Sequence, residues 1–227
     1  MLQGGGLGGN FACPSKAAGL PGCMDQLRLT PVIETRSLRR PLPWAPPRRQ
    51  EGWIALSGDA DDDRVVEALA ALVNGNPVEP GETVETALEA LMAAECVIAP
   101  GGLRAAAGAF EILPSCCCGL EGWREWFGVK PGGQSPWLGH DPGPWVDCGP
   151  DAATLWSDEN GDSLTVSYEA LGTALNGAAL DMEGFVDRLS DWLARHAPAR
   201  AEFAPFFAEA FGVYGDRPDR SMTVLVL

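Results

Sequence analysis

Only two histidines, His140 and His196, occur in the 227 residues of this chain. The sequence has no G-x-S-x-G elbow, no P-loop and no Rossmann glycine fingerprint, and no two of its cysteines are spaced C-x-x-C. These gaps argue against a conventional enzyme, since the common nucleophile, phosphate and dinucleotide chemistries each need one of those patterns. GGGLGG near the N-terminus is glycine-rich but follows no strand, so it builds no phosphate cradle. No apolar run approaches eighteen residues, so no membrane-spanning helix is expected. The first residues also lack a basic region followed by an apolar stretch, and cytoplasmic residence is the expectation. In a reducing compartment the seven cysteines would be thiols or metal ligands.

Charge is abundant and uneven. The formal net charge is −15, yet residues 1–50 carry Lys16, Arg28, Arg36, Arg39, Arg40, Arg48 and Arg49 against Asp25 and Glu34. That stretch is net positive, and the remainder is more acidic than the whole. So acidic a body disfavours nucleic acid and anionic membrane, because phosphate binding needs neutralising Lys and Arg. It suits a basic protein partner, or simply solubility.

The same first fifty residues hold seven Gly and seven Pro without a helical or strand period. They read as a largely irregular, disordered basic tail, with RRPLPWAPPRR as polyproline II and Trp44 packing on the body. Arg40, Pro43 and Pro46 also fit the spacing of ligands for aromatic-lined grooves. Residues 51–227 then read as one acidic α+β domain, a small mainly antiparallel sheet packed against amphipathic helices. WIALSG, CVIA and AFEIL predict strands, and TLWSDENGDSLTVSY predicts a hairpin about Asn160-Gly161. Helices are expected at Val65–Val73, Glu82–Glu95, Tyr168–Asn176, Asp181–His196 and Ala199–Phe211, with MTVLVL as a closing strand.

Rare side chains crowd into Ile112–Cys148, which holds four of the cysteines, four of the eight tryptophans and His140. Cys116, Cys117 and Cys118 precede a predicted helix at LEGWREWF. One reading packs the thiols as small hydrophobes in a strand-to-helix turn. A second makes a zinc site from Cys116, Cys118, His140 and Cys148, although adjacent cysteines seldom share one ion. A third makes Cys117 or Cys118 a nucleophile, with His140 as base and Asp141 as orienter. In SPWLGHDPGPW a proline precedes each tryptophan, which holds a large ring at low entropic cost. Trp137, His140, Asp141 and Trp145 are therefore candidate anchors for a protein partner, unless the loop simply covers its own core.

Two acidic groups remain. Asp59, Asp61, Asp62 and Asp63 fit helix N-terminal acids. Asp158, Asn160, Asp162 and Glu169 match four positions of a calcium loop, but Ser163 replaces its turn glycine, and a polar hairpin is the favoured reading. No cofactor is expected, with zinc or calcium the alternatives.

CCCGLEGW…SPWLGHDPGPW resembles a signature of bacterial proteins of similar size without an assigned activity. The resemblance covers Val97–Trp156 and, more loosely, the following helices, and it assigns no catalytic residue. Small acidic α+β bacterial proteins also include immunity proteins that neutralise toxins. The expectation is thus a cytoplasmic binding or regulatory protein, immunity-like in character, that engages a basic partner. A metal- or thiol-dependent protein built on Cys116–Cys118 and His140 is the alternative.

Overall fold

The computed structural model describes residues 26–35, 41–45, 52–115, 117–140, 143–158 and 161–215. Their architecture is α+β: seven strands in two antiparallel sheets, four α-helices and short 3-10 segments. One sheet has the order β2-β1-β3-β4, from β1 (Arg28–Glu34), β2 (Trp53–Ala55), β3 (Gly101–Ala107) and β4 (Phe110–Ile112). The other has the order β5-β6-β7, from β5 (Trp145–Cys148), β6 (Ala152–Trp156) and β7 (Ser163–Ser167).

The largest departure from the sequence reading is β1. The first fifty residues were expected to be an irregular tail, but Arg28–Glu34 is a central strand bonded to β2 on one side and β3 on the other. Its Leu29 and Ile33 are buried, and each can add about 1.5–3 kcal/mol of transfer free energy. Pro31 hid the strand, because proline removes a ladder donor. Here the missing donor falls beyond the end of β2, where the Pro31 carbonyl accepts from Leu56 N at 2.9 Å. Farther along, Leu42 is buried and Trp44 donates its indole to the Pro80 carbonyl at 3.4 Å, so Trp44 does pack on the body. Arg40 and Pro46 lie outside the described residues.

β3 is the second departure. CVIA was expected to be a strand, but the ladder forms one step later, at GGLRAAA. The backbone of Ile98 is instead satisfied by the Asn76 side chain, whose Nδ2 donates to Ile98 O at 2.8 Å and whose Oδ1 accepts from Ile98 N at 2.9 Å. The glycines that open β3 let it approach β1. A Cβ at Gly101 would fall 2.1 Å from the Val32 carbonyl.

The helices follow their patterns more closely. α1 (Asp62–Gly75) starts at Asp61, which caps Arg64 N at 2.8 Å, and buries Val65, Leu69, Leu72 and Val73. α2 (Val84–Met92) begins with a reciprocal Thr83–Thr86 capping box. The two helices expected at Tyr168–Asn176 and Asp181–His196 are one, α3 (Tyr168–His196). Gly177 does not break it, because Leu171, Ala174, Leu175, Ala178, Ala179 and Met182 form one continuous buried stripe. α3 lies against β1 and α4 (Phe203–Ala210), joining the sheet to the C-terminal helix. MTVLVL lies outside the described residues. None of the described helices is long and apolar enough to cross a membrane.

Candidate functional site

Cys117 and Cys118 meet the Trp137 end of the proline-tryptophan loop. After β4 the chain turns at Ser115–Cys118, where Cys118 N donates to Ser115 O at 3.3 Å and Cys117 adopts φ 61°. A positive φ is uncommon outside glycine and marks a tight turn. Cys118 points inward and is 8% exposed, whereas Cys117 is exposed. The Cys118 carbonyl accepts from Gly101 N at 3.1 Å, and Leu120 N donates to Ala99 O at 2.8 Å, so the turn is tied to the start of β3. LEGWREWF follows as a 3-10 segment, Leu120–Gly128, which buries Leu120, Trp123 and Trp126. The Glu121 carboxylate occupies the space that a side chain at Gly119 would take.

Trp137 sits on this turn. Its Nε1 donates to the Cys117 carbonyl at 3.4 Å, and its own carbonyl receives the Cys118 thiol at 3.9 Å. Its backbone N–H donates to Glu125 Oε2 at 2.8 Å. The His140 ring meets the indole edge-on, with centroids 5.3 Å apart at 85°. Despite these holds Trp137 is 54% exposed. Leu138 beside it is buried, and its carbonyl accepts from Ser115 N at 3.2 Å, which pins the loop to the turn. The result is a large amphipathic ring held at the surface in one orientation, with a carboxylate at its base.

Trp145 belongs elsewhere. It opens β5, is half-buried, and stacks on Trp156 of β6 at 5.5 Å and 11°. Trp156 Nε1 donates in turn to Asp147 Oδ2 at 2.9 Å. This is a cross-strand pair that holds the second sheet, with one face of each ring spent on the other. Cys148 ends β5, half-buried and paired in register with Ala153. Cys116 and Asp141 lie outside the described residues. Among the described residues no three His, Cys, Asp or Glu side chains come together as a metal site.

The second acidic group is a hairpin turn. Ser157 N donates to Asp162 O at 3.0 Å and Gly161 N to Asp158 O at 3.2 Å, closing β6 onto β7. Glu169 stands in the first turn of α3, and Asn160 lies outside the described residues. Asp61, Asp62 and Asp63 are the cap and first-turn acids of α1, as their spacing suggested.

Asp62 does more than that reading assigned. Arg195 grips it through two contacts, Nη1–Oδ2 at 2.7 Å and Nη2–Oδ1 at 2.8 Å. Arg188 reaches Oδ1 at 2.8 Å, and His196 Nε2 lies 3.3 Å from Oδ2. The Arg195 guanidinium holds the Asp62 carboxyl well below the usual carboxylate range, with Arg188 and His196 adding to it. The partners are more than a hundred positions apart, so no sequence spacing announced the cluster. His196 also stacks on Trp192, with ring centroids 5.0 Å apart. Protein-family models, curated proteins and solved structures were all compared with this chain, and none matches it.

Proposed function

We propose that this chain is a cytoplasmic binding or regulatory protein, immunity-like in character, that takes a basic protein partner on the face around Trp137. One observation carries the reading: Trp137 is 54% exposed yet fixed at its indole, its backbone N–H and its ring edge. Exposing and immobilising a tryptophan gains little for folding alone. It prepays the ordering cost of an anchor that a partner buries. Glu121 and Glu125 are exposed on the same segment and give the face its sign. The acidic body, at net charge −15 for the whole chain, would steer a cationic partner toward it.

The test uses the full chain to capture its partner from its host, followed by titration of the purified pair. Trp137→Ala should weaken affinity by about 2 kcal/mol or more, the range of an interface anchor. Raising salt should weaken the wild-type complex chiefly through a slower association rate. An affinity indifferent to Trp137→Ala sinks the proposal, and so does a partner with no basic surface.

A further inference from the structure

A cavity of about 260 Å³ opens on the outer face of the four-stranded sheet, and none of the residues discussed above for partner binding lines it. Register explains its floor. Val32 pairs with Ala55 on β2 and with Gly102 on β3. Side chains alternate along strands, so Trp53, Ala55, Val32 and Arg104 share this face. The far wall is Ser57, Asp59 and Ala60 of the β2–α1 connection, with Arg64 from the first turn of α1. That wall explains why Val32 is only 1% exposed on a face turned away from the helices.

The wall is fixed in place. Arg188 Nε donates to the Ala60 carbonyl at 2.8 Å, and Asp61 caps α1 just beyond it. Gly58 packs directly on Gly184 of α3, where a Cβ at Gly184 would fall 2.9 Å from Gly58 N. Glu111 Oε1 accepts from Arg104 Nε at 2.6 Å and also meets its Nη2, an ion pair that orients the guanidinium and leaves Nη1 outside the contact. A concavity held this firmly needs little ordering when a ligand enters.

Its chemistry is mixed in an informative way. Val32, Ala55 and Ala60 are apolar, Trp53 adds an aromatic flank, and two guanidinium groups line the same space in a strongly acidic protein. Guanidinium is the side chain best shaped to receive a carboxylate. Asp59 and Ser57 would repel or fail to neutralise a purely anionic ligand, but they accept from an ammonium. We propose that this cavity binds a free α-amino acid with an apolar side chain. Its carboxylate would go to Arg64 and Arg104, its ammonium to Asp59, and its side chain to Ala55 and Trp53. The volume lies below the ~300–1,000 Å³ of drug-sized sites and suits a ligand this small.

The test follows the Trp53 indole N–H resonance of the full-length protein, assigned with Trp53→Phe. Titrants are L-phenylalanine, L-phenylalaninamide, N-acetyl-L-phenylalanine and inorganic phosphate. Phenylalanine should give a saturable shift in the millimolar range. The amide and the N-acetyl compound should each bind about tenfold or more weaker, because each removes one charge that the cavity pairs. Arg104→Ala should cost a similar factor, and Ala55→Trp should abolish the shift by filling the floor. Should Ala55→Trp fail to fold, the exposed Arg104→Ala carries the test. No shift with phenylalanine overturns the proposal. So does an equal response to phosphate, or one that survives Arg104→Ala.

Discussion

Asp62, in the first turn of α1, and Arg195, in the last turn of α3, face one another across two hydrogen bonds of 2.7 and 2.8 Å. The contact closes the top of α1 onto the C-terminal end of the longest helix, 133 positions away in sequence. Each partner also sits where its helix dipole favours its charge, an acid at an N-terminus and a base at a C-terminus. The contact is largely solvent-exposed, so its worth is as a register pin more than as a store of energy.

Acid should reveal this pin. The Asp62 carboxyl titrates below its ordinary range in the folded chain, so its contribution is present above about pH 4, where the unfolded carboxylate is already charged. It is lost as pH falls below that point toward the depressed folded value. Asp62→Asn should therefore lower Tm at pH 7, and the gap from wild type should narrow steadily as pH drops below about 4. Thermal melts of both proteins between pH 7 and pH 2.5 check this. A gap that widens in acid contradicts the assignment.

Asn76 should prove more costly to change than any surface residue. It is 4% exposed, and its amide donates to Leu72 O and Ile98 O while its oxygen accepts from Ile98 N. Asn76→Ala strands three backbone groups at one step, the Leu72 and Ile98 carbonyls and the Ile98 N–H. Unsatisfied buried groups cost about 1–3 kcal/mol each, partly relieved by relaxation, so a loss of about 2–4 kcal/mol is expected in chemical denaturation. Asn76→Asp should fare no better, since it removes both donors and buries a charge.

Some of this architecture was legible in the chain and some was not. The caps and first-turn acids of α1, the β6–β7 hairpin and the apolar stripe of Asp181–His196 are local signals, and local physics decides them. β1 escaped because Pro31 interrupts RLTPVIE, and β3 because the Gly- and Ala-rich GGLRAAA is a poor strand by propensity. Their pairing with each other and the burial of Leu29, Ile33, Leu103 and Ala105 hold them extended. The Trp137 turn was legible in part: crowding of rare residues pointed to it, and Cys117, Cys118, Trp137 and His140 do come together. The placement of Trp145 was not legible, because proximity in sequence says nothing of a stacking partner on the next strand.

Trp123 joins the cysteine-rich half to the C-terminal helix, and its removal should loosen both. It is 1% exposed, and its Nε1 donates to the Phe211 carbonyl at 2.8 Å, just past α4. Trp123→Phe keeps most of the volume but leaves that carbonyl unpaired, at a cost of about 1–3 kcal/mol. Trp123→Ala adds a cavity and should cost about 3–5 kcal/mol. Equilibrium urea unfolding separates the two, and equal losses would mean that the hydrogen bond contributes nothing.

Two glycines on α3 make a matched pair with opposite expected signs. Gly172 has nothing within 4 Å of the position a Cβ would take, so alanine there adds no clash. Gly172→Ala should stabilise by about 0.5–1 kcal/mol, because glycine loses the most backbone freedom in a helix. Gly184 has the same helical conformation, yet its new methyl would fall 2.9 Å from the amide nitrogen of Gly58. The propensity gain is the same at both sites, so any difference between them measures the clash. Overpacking of a fixed backbone costs about 1–3 kcal/mol, enough to reverse the sign. Gly184→Ala should therefore melt lower than wild type while Gly172→Ala melts higher. Because Gly58 lies between the wall residues Ser57 and Asp59, Gly184→Ala should also move the Trp53 indole resonance, which Gly172→Ala should leave in place. Two variants that melt alike would show that the β2–α1 connection yields under load and is no rigid wall.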